Sequence, residues 1–414
     1  MRRVGSAACI IILASCVRTS TVSPPLPAAQ RVDSSTSIFQ VLHIFKKRRD
    51  GIIPAGALLA VGGTLYGTTN FGGDPSKSCY PGNGCGTVFE MSSPSDLGVV
   101  YRFAGSTSGT RPYAGVIDVN GTLYGTTQTG GKHNQGTVFS LTPSGSEHVI
   151  HSFGGKNDGS DPRANLVSVN GALYGTTYYG GLTGTGTVFT IDSSGVERVL
   201  HNFQGGTDGS LPLCALIEAN NTLYGTTSSG GANNAGTVFR ITPDGASYSV
   251  LYTFRGGSDG AFPYTGLTEL NGMLYGTTEE GGQYGEGTVF SVTATGSETV
   301  LHSFGYGSDG ANPYAGLTVL NGQLYGTTAY GGSATRTSGH TKQIQNKPSS
   351  EGTIYTILPS GTEQVVHDFS GGPGGRAPYA DLTVMNGALY GTTIWGGDTN
   401  NKRGGVGTVF EYSP

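Results

Sequence analysis

The chain has 414 residues, 72 of them glycine, with 36% hydrophobic and 12% charged residues and a formal net charge of −4. Glycine far exceeds its usual share of about 7%, which by itself fits either a globular or a low-complexity protein. The glycines recur in register with apolar runs, and this register excludes a disordered glycine-rich linker. We expect no nucleic-acid partner.

The first 16 residues are predicted to be a lipoprotein-type signal peptide. Arg2 and Arg3 precede the apolar run AACIIILAS, which is too short to span a bilayer. The stretch LASC ends at Cys16 and resembles a bacterial lipobox, in which the cysteine carries lipid. We therefore predict a lipid anchor in the bacterial cell envelope, with plain secretion as the alternative. Residues 17–36 are rich in proline, serine and threonine and are predicted to form a disordered tether.

The pentapeptide LYGTT marks an internal repeat. It begins at Leu65, Leu123, Leu173, Leu223, Leu274, Leu324 and Leu389. Successive copies are 58, 50, 50, 51, 50 and 65 residues apart. A period near ~50 residues with β-type composition is typical of a β-propeller or a β-solenoid.

The strands within one repeat distinguish these two folds. In residues 164–203 the apolar runs NLVSV and ALYGTT meet across Asn170-Gly171, a strong hairpin signal. The runs GTVFTI and ERVLHNF follow, separated by a Ser-Ser-Gly turn. Four short antiparallel strands per repeat make one propeller blade, whereas a solenoid coil would use a shorter repeat. The sequence therefore predicts an all-β, seven-bladed β-propeller.

The two ends of the repeat region predict a closed ring. Residues 38–45, IFQVLHIF, have the pattern of a fourth strand without the first three. The chain ends at GTVFEYSP, a third strand without a fourth. We expect the N-terminal strand to complete the seventh blade, so that residues 37–414 form one propeller domain without an open edge.

The extended motif LYGTTxxGGxxxxGTVF resembles the GloVer tandem repeat of the choice-of-anchor bacterial exported proteins. The resemblance covers all seven units. It implies attachment to the cell surface and a repeat domain of unassigned activity, and it supplies no catalytic residues. Kelch propellers are similar in period and in the Gly-Gly after the second strand, although their downstream aromatic pattern is not followed here.

Three neighbouring blades carry the long loops. Between Gly-Gly and the glycine of GTVF or GTIY, blades 1, 6 and 7 have 12, 19 and 9 residues, and the other blades have 4. Eleven basic and four acidic side chains around these loops give a local formal charge of +7. Such a patch can attract an anionic ligand. The alternative is that long loops are simply solvated by lysine and arginine.

Aromatic residues coincide with the long loops. The second residue after GTT is Phe71, Tyr330 and Trp395 in these three blades, and Trp395 is the only tryptophan. Rings beside cations suit an acidic sugar, because a ring covers the apolar sugar face while arginine pairs with a carboxylate. The alternative is that the rings form small cores beneath the loops. The predicted ligand-binding residues are Trp395, Tyr330, Phe71, Arg48, Arg336, Arg376 and Arg403.

The remaining cysteines and histidines are predicted to be structural. Cys79 and Cys85 flank the first long loop and are expected to form a disulfide outside the cytoplasm, and Cys214 is expected to be a buried thiol. Fourth-strand histidines alternate with tyrosine, and the DGxxP loops resemble Asx turns. We expect no metal and no cofactor, because no ligand set has the spacing of a metal site.

A catalytic site is the weaker prediction. The third residue after the proline that leads into each blade is alanine or glycine in five blades and Asn165 or Asp381 in the other two. Arg163 lies two residues before Asn165. One carboxylate is not an acid–base pair. The leading prediction is a surface-anchored, non-catalytic binding or scaffold propeller for an anionic glycan or another envelope component. The alternatives are a glycan-cleaving lyase or hydrolase that uses Asp381, Asn165 and Arg163 at the channel mouth, and a protein–protein interaction hub.

Overall fold

The computed structural model describes residues 37–46, 49–74, 79, 84–93, 96–154, 157–305, 308–332, 351–397 and 405–414. The signal peptide, the tether and Cys16 lie outside these residues. Seven four-stranded antiparallel sheets form the domain. Innermost strands of neighbouring sheets contact one another around a common axis, which confirms the seven-bladed β-propeller. Blades are numbered 1 to 7 in chain order, and the strands of each blade are lettered a to d outward from the axis.

The strands of blades 1 to 4 are Leu59–Val61, Thr64–Thr69, Thr87–Ser93 and Asp96–Arg102; Ile117–Val119, Thr122–Thr127, Thr137–Leu141 and Glu147–Ser152; Val167–Val169, Ala172–Thr177, Thr187–Ile191 and Glu197–Asn202; and Ile217–Ala219, Thr222–Thr227, Thr237–Ile241 and Tyr248–Thr253. Those of blades 5 to 7 are Thr268–Leu270, Met273–Thr278, Thr288–Val292 and Glu298–Ser303; Thr318–Leu320, Gln323–Thr328, Thr353–Ile357 and Glu363–Asp368; and Thr383–Met385, Ala388–Thr393, Thr408–Ser413 and Ile38–Ile44. Short 3-10 turns lie at Ser106–Ser108, Gly206–Asp208, Gly257–Asp259 and Gly372–Gly374, and Gly159–Ser160 pairs with Tyr179–Gly180.

The LYGTT motif forms strand b, and its glycine and second threonine serve the blade itself. A Cβ on Gly276 would lie 2.6 Å from the ring of Phe290 on strand c, so glycine is the residue that admits this ring. The Oγ1 atoms of Thr278 and Thr288 lie 2.8 Å apart and join strands b and c. The same threonine pair recurs in all seven blades at 2.7–2.8 Å. The motif therefore fixes the register of the two central strands.

The first threonine of the motif joins neighbouring blades. Thr277 Oγ1 donates to the carbonyl oxygen of Ala315 at 3.0 Å, and Thr392 Oγ1 of blade 7 donates to that of Pro54 at 2.9 Å. Aromatic residues fill the space between blades, as where the rings of Phe254 and Phe290 meet edge to face. The equivalent threonine donates to the following blade in six of the seven blades, whereas Thr327 Oγ1 of blade 6 is buried without a hydrogen-bond partner among the described residues.

The N-terminal strand closes the ring as predicted. Ile38–Ile44 pairs antiparallel with Thr408–Ser413, with Val41 opposite Phe410. The ring of Phe39 stacks on His367 of blade 6 at a centroid distance of 3.7 Å. This strand therefore contacts two blades and leaves blade 7 with four strands.

Two further features bear on the sequence predictions. Cys79 and Cys85 form a disulfide with their Cα atoms 5.1 Å apart, and Cys214 is a buried free thiol. The described residues contain no helix that is long and apolar enough to cross a membrane.

Candidate functional site: the channel mouth

A cavity of about 310 Å³ lies on the ring axis, lined by residues from all seven blades. Its rim consists of the residues that directly follow the proline leading into each blade. These are Ala55, Tyr113, Arg163, Leu213, Tyr264, Tyr314 and Tyr379. Seven equivalent positions thus hold four tyrosines, one arginine and two apolar residues, so the rim is chemically asymmetric although the backbone repeats.

The backbone before the proline explains why these residues face the axis. The residue before each proline has a positive φ, as at Asn312 with φ 51°. Asn312 N–H donates to the carbonyl of Glu286, and Ala329 N–H donates to the carbonyl of Asn312. Proline has a fixed φ and needs no hydrogen-bond acceptor, so it suits the residue that follows this turn. In every blade this turn directs the residue that follows the proline towards the channel mouth.

Three tyrosines form a row along blades 5, 6 and 7. The ring centroids of Tyr264 and Tyr314 are 6.0 Å apart, and those of Tyr314 and Tyr379 are 4.4 Å apart, with interplanar angles of 12° and 13°. The hydroxyl of Tyr379 lies 3.4 Å from that of Tyr330, which is 36% exposed. The row therefore runs from the channel mouth to the outer surface of blade 6.

Glu279 gives the tyrosine row a charged partner. The Tyr314 hydroxyl donates to a carboxylate oxygen of Glu279. Burial and the nearby Glu279 raise the pKa of Tyr264 to about 12, and they raise the pKa of Tyr314 further. These tyrosines are therefore protonated near neutral pH and act as hydrogen-bond donors rather than as bases.

Arg163 of blade 3 lines the same cavity as the tyrosine row. Its Nε and Nη2 atoms donate to the carboxylate of Asp161 at 3.0 and 2.6 Å. Its guanidinium carbon lies 4.2 Å from the ring centroid of Tyr178. The ion pair and the ring hold the guanidinium at the cavity wall.

The other two residues of the predicted catalytic alternative also line the cavity. Asn165 Oδ1 accepts the N–H of Gly115 at 2.7 Å, and Asp381 Oδ1 accepts the N–H of Gly316 at 2.6 Å. Each side chain thus bonds the backbone of the preceding blade. Burial raises the pKa of Asp381. In the described part of the chain the lining contains no histidine, so its donors do not form a mixed imidazole–carboxylate metal site.

The predicted aromatic residues lie outside the cavity lining. Trp395 is 38% exposed, and its backbone pairs with that of Arg376, whose side chain lies 3.5 Å from Glu351. Phe71 is half-buried beneath the guanidinium of Arg111, 5.3 Å from its ring centroid. Of the predicted set, Tyr330 contacts the cavity wall through Tyr379. Arg48, Arg336 and Arg403 lie outside the described residues.

Two positions were missed by the sequence analysis. One is the residue directly after each leading proline, which varies between tyrosine, arginine, leucine and alanine and of which only Arg163 was predicted. The other is the first residue after GTT, which supplies Tyr178 and Glu279 to the cavity. The available signal was the contrast between these variable residues and the constant motif around them.

Comparison with solved structures supports the fold. An oligogalacturonate lyase from Vibrio parahaemolyticus superposes with a TM-score of 0.53 at 11% identity, covering 91% of this chain and 93% of that one. An oligogalacturonate lyase in complex with manganese gives 0.53 at 12%, covering 89% of each chain. A putative 6-phosphogluconolactonase from Bacteroides uniformis gives 0.50 at 14%, covering 83% and 94%. At these identities the likeness shows the fold alone.

Sequence comparison assigns the repeat. No protein with a curated description matches the chain. The model of the Gloeobacter/Verrucomicrobia repeat matches residues 27–189 and 147–341, which together span more than half of the chain. The match covers blades 1 to 5 and the first two strands of blade 6, and the chain belongs to the Gloeobacter/Verrucomicrobia repeat family.

Proposed function

We propose that this protein is a surface-anchored binding propeller that receives an acidic sugar of a glycan at its channel mouth. The observation that carries this proposal is the cavity itself, which is lined both by a row of stacked tyrosines and by a fixed arginine. Its volume of about 310 Å³ lies at the lower end of the range for small-molecule sites, roughly 300–1,000 Å³.

The two walls suit the two halves of an acidic sugar. Tyrosine rings cover apolar surface and present a hydroxyl at one end, and Glu279 adds a hydrogen-bond acceptor for sugar hydroxyls. Asp161 occupies Nε and Nη2 of Arg163, so among the described residues Nη1 is left for a ligand carboxylate. Arginine–carboxylate hydrogen bonds are charge-assisted and stronger than neutral ones.

A longer glycan would extend from the mouth across blades 6, 7 and 1. Tyr330 continues the tyrosine row outward, and Trp395 and Phe71 occupy the equivalent positions in the next two blades. The cations of this outer region are Arg48, Arg336, Arg376 and Arg403. Arg376 beside Glu351 would have to exchange this partner for the ligand.

The anchoring part of the proposal rests on the sequence. The LASC stretch places lipid on Cys16, and residues 17–36 tether the propeller to the envelope. This arrangement agrees with a choice-of-anchor exported protein whose repeat has a kelch-like period. Membrane fractionation of a Cys16→Ser variant tests it: release into the soluble fraction supports the anchor, and unchanged fractionation contradicts it.

The binding proposal is tested by calorimetry with oligogalacturonate and its neutral, reduced analogue. We expect Arg163→Met to weaken binding of the acidic ligand by about 1.5–3 kcal/mol, the usual contribution of a hydrogen bond to a charged group. The exposed Arg240 of strand c in blade 4 provides the matched control, Arg240→Met. Equal binding of both ligands, or an unchanged affinity of Arg163→Met, would contradict the proposal.

A second candidate is a lyase or hydrolase acting at the same cavity, on the fold that this chain shares with oligogalacturonate lyases. Arg163 would hold the sugar carboxylate, and Glu279 or Asp381 would move the proton. Release of unsaturated sugars from oligogalacturonate by the wild-type protein, and its loss in Glu279→Gln, would establish this candidate. Binding without turnover over a wide pH range would exclude the lyase or hydrolase and favour the binding propeller.

A further inference from the structure

Histidines and aspartates that are seven residues apart in sequence pair at the outer edge of the ring. The histidine is the second-to-last residue of strand d, and the aspartate lies in the segment that leads into the next blade. Nε2 lies 2.8 Å from the carboxylate in His43–Asp50, 3.1 Å in His151–Asp158 and His201–Asp208, and 3.0 Å in His302–Asp309. The fourth-strand histidine and the DGxxP loop are therefore one repeated unit.

At two interfaces a glutamate from the following blade joins the pair. Glu197 begins strand d of blade 3 beside His151 and Asp158, and the ligand atoms of the three residues lie within 4.8 Å of one another. His302, Asp309 and Glu363 form the same group between blades 5 and 6. One oxygen of Glu197 and one of Glu363 are buried without a hydrogen-bond partner among the described residues.

We propose that each of these two His–Asp–Glu groups binds one divalent transition cation, such as Zn²⁺ or Mn²⁺, between neighbouring blades. One imidazole nitrogen and two carboxylate oxygens form a donor set that such cations accept. Bonds of about 2.0–2.2 Å place ligand atoms roughly 3–4 Å apart, as the histidine and aspartate atoms are here. The cation takes the place of the proton between histidine and aspartate.

The charge balance favours a cation at these positions. Backbone N–H groups of Gly154 and Gly159 donate to the carboxylate oxygens of Asp158 at 3.0 and 2.7 Å. A divalent cation compensates both carboxylates and bonds the glutamate oxygen that lacks a partner.

At two other interfaces between blades, tyrosine replaces one member of the His–Asp–Glu group. Between blades 3 and 4, Tyr248 replaces the glutamate and stacks on His201 at 3.7 Å. Between blades 4 and 5, Tyr252 replaces the histidine and donates to Asp259 at 2.6 Å, while Glu298 is retained. These two interfaces lack the complete donor set and serve as internal controls.

Metal analysis of the full-length protein tests the proposal. The protein is stripped with a chelator, dialysed against micromolar Zn²⁺ or Mn²⁺, and analysed by mass spectrometry for bound metal. We expect about two equivalents per chain, about one in Glu197→Gln or Glu363→Gln, and none in the double variant. The control Glu298→Gln should retain about two.

A melting curve complements the stoichiometry. Chelation should lower the melting temperature of the wild-type protein, and the added cation should restore it but should have no effect on the double variant. Equal metal content in the wild type and the double variant would show surface binding and overturn the proposal. A second result would also overturn the proposal: no bound metal, together with stability that rises below pH 7 whether or not chelator is present. It would show that the His–Asp–Glu groups share protons instead of binding a cation.

Discussion

Glu298 shows how burial acts on a single carboxyl group at the interface of blades 4 and 5. Burial and the charge of Asp259 raise its pKa to about 7 from the usual 4.5, while hydrogen bonding to Tyr252 and the nearby Arg255 act in the opposite direction. The folded protein therefore keeps this proton to a higher pH than the unfolded chain does. By linkage, its contribution to stability is greatest below about pH 4.5 and is lost as the pH rises towards 7.

We expect Glu298→Gln to remove this contribution to the pH dependence. The free energy of unfolding of the wild type should fall more steeply between pH 5 and 7.5 than that of the variant. The difference should be roughly 1 kcal/mol, because partial exposure of the side chain screens the effect. Urea unfolding at a series of pH values measures it, with exposed Glu280→Gln as control. Parallel curves for wild type and Glu298→Gln would contradict the assignment.

Trp395 is a second prediction at the scale of one residue. It is exposed and lies outside the cavity, so it can contact a ligand that extends beyond the channel mouth. Trp395→Ala should weaken binding of a long acidic polysaccharide by roughly 1–3 kcal/mol, the range for stacking of nucleic-acid bases on aromatic rings. A disaccharide should bind unchanged. Tyr179→Ala, at the equivalent position of short-looped blade 3, is the control in calorimetry, and equal effects of both changes would refute this role.

At the scale of strands and turns, the close contact between strands b and c explains the constant glycine of LYGTT. A Cβ on Gly276 would lie 2.6 Å from the Phe290 ring and 3.0 Å from Leu267. We expect Gly276→Ala to lower the free energy of unfolding by about 1–3 kcal/mol through overpacking. Gly98→Ala in strand d is the control, since its Cβ would meet Glu90 at 3.5 Å. Chemical denaturation compares the two, and an equal, small effect would show that the ring can move aside.

The sequence could predict the strands because local chemistry determines them. Asn170 and Gly171 both adopt positive φ in the hairpin between strands a and b, as the Asn-Gly signal requires. The cavity depends instead on which way each side chain points after the GTT segment. Tyr178 and Glu279 line it, whereas Tyr179 and Glu280 are exposed. Both residues of each pair vary, so sequence variation alone could not distinguish the inner from the outer position.

At the scale of the whole molecule, the contacts that joined distant repeats were the hardest to predict. The spacing of His151 and Asp158 is visible within one repeat, but Glu197 comes from the next blade and approaches them through the arrangement of neighbouring sheets. Likewise Arg163 and the tyrosine row line one cavity because seven loops converge on one axis. Ring closure was predictable from the sequence, because the N-terminal segment has the pattern of a lone fourth strand and the last repeat ends after its third strand.

Ring closure leads to the prediction with the largest expected effect. Removal of residues 38–45 would take away strand d of blade 7 and its contacts with Phe410 and His367. The exposed edge of Thr408–Ser413 could then pair with another chain. We expect a large drop in melting temperature and concentration-dependent aggregation, measured by scanning fluorimetry and light scattering.

A shorter truncation separates the strand from the segment before it. A chain that begins at residue 37 keeps Ile38–Ile44 and should melt like the propeller with its tether. The backbone pairing and side-chain contacts of this strand do not depend on its covalent link to the rest of the chain. A synthetic peptide of residues 37–46 should therefore bind the truncated propeller and raise its melting temperature. A peptide with Phe39→Ala should do so less well, since it loses the ring stacked on His367. Unchanged stability after removal of residues 38–45 would mean that the ring holds without this strand.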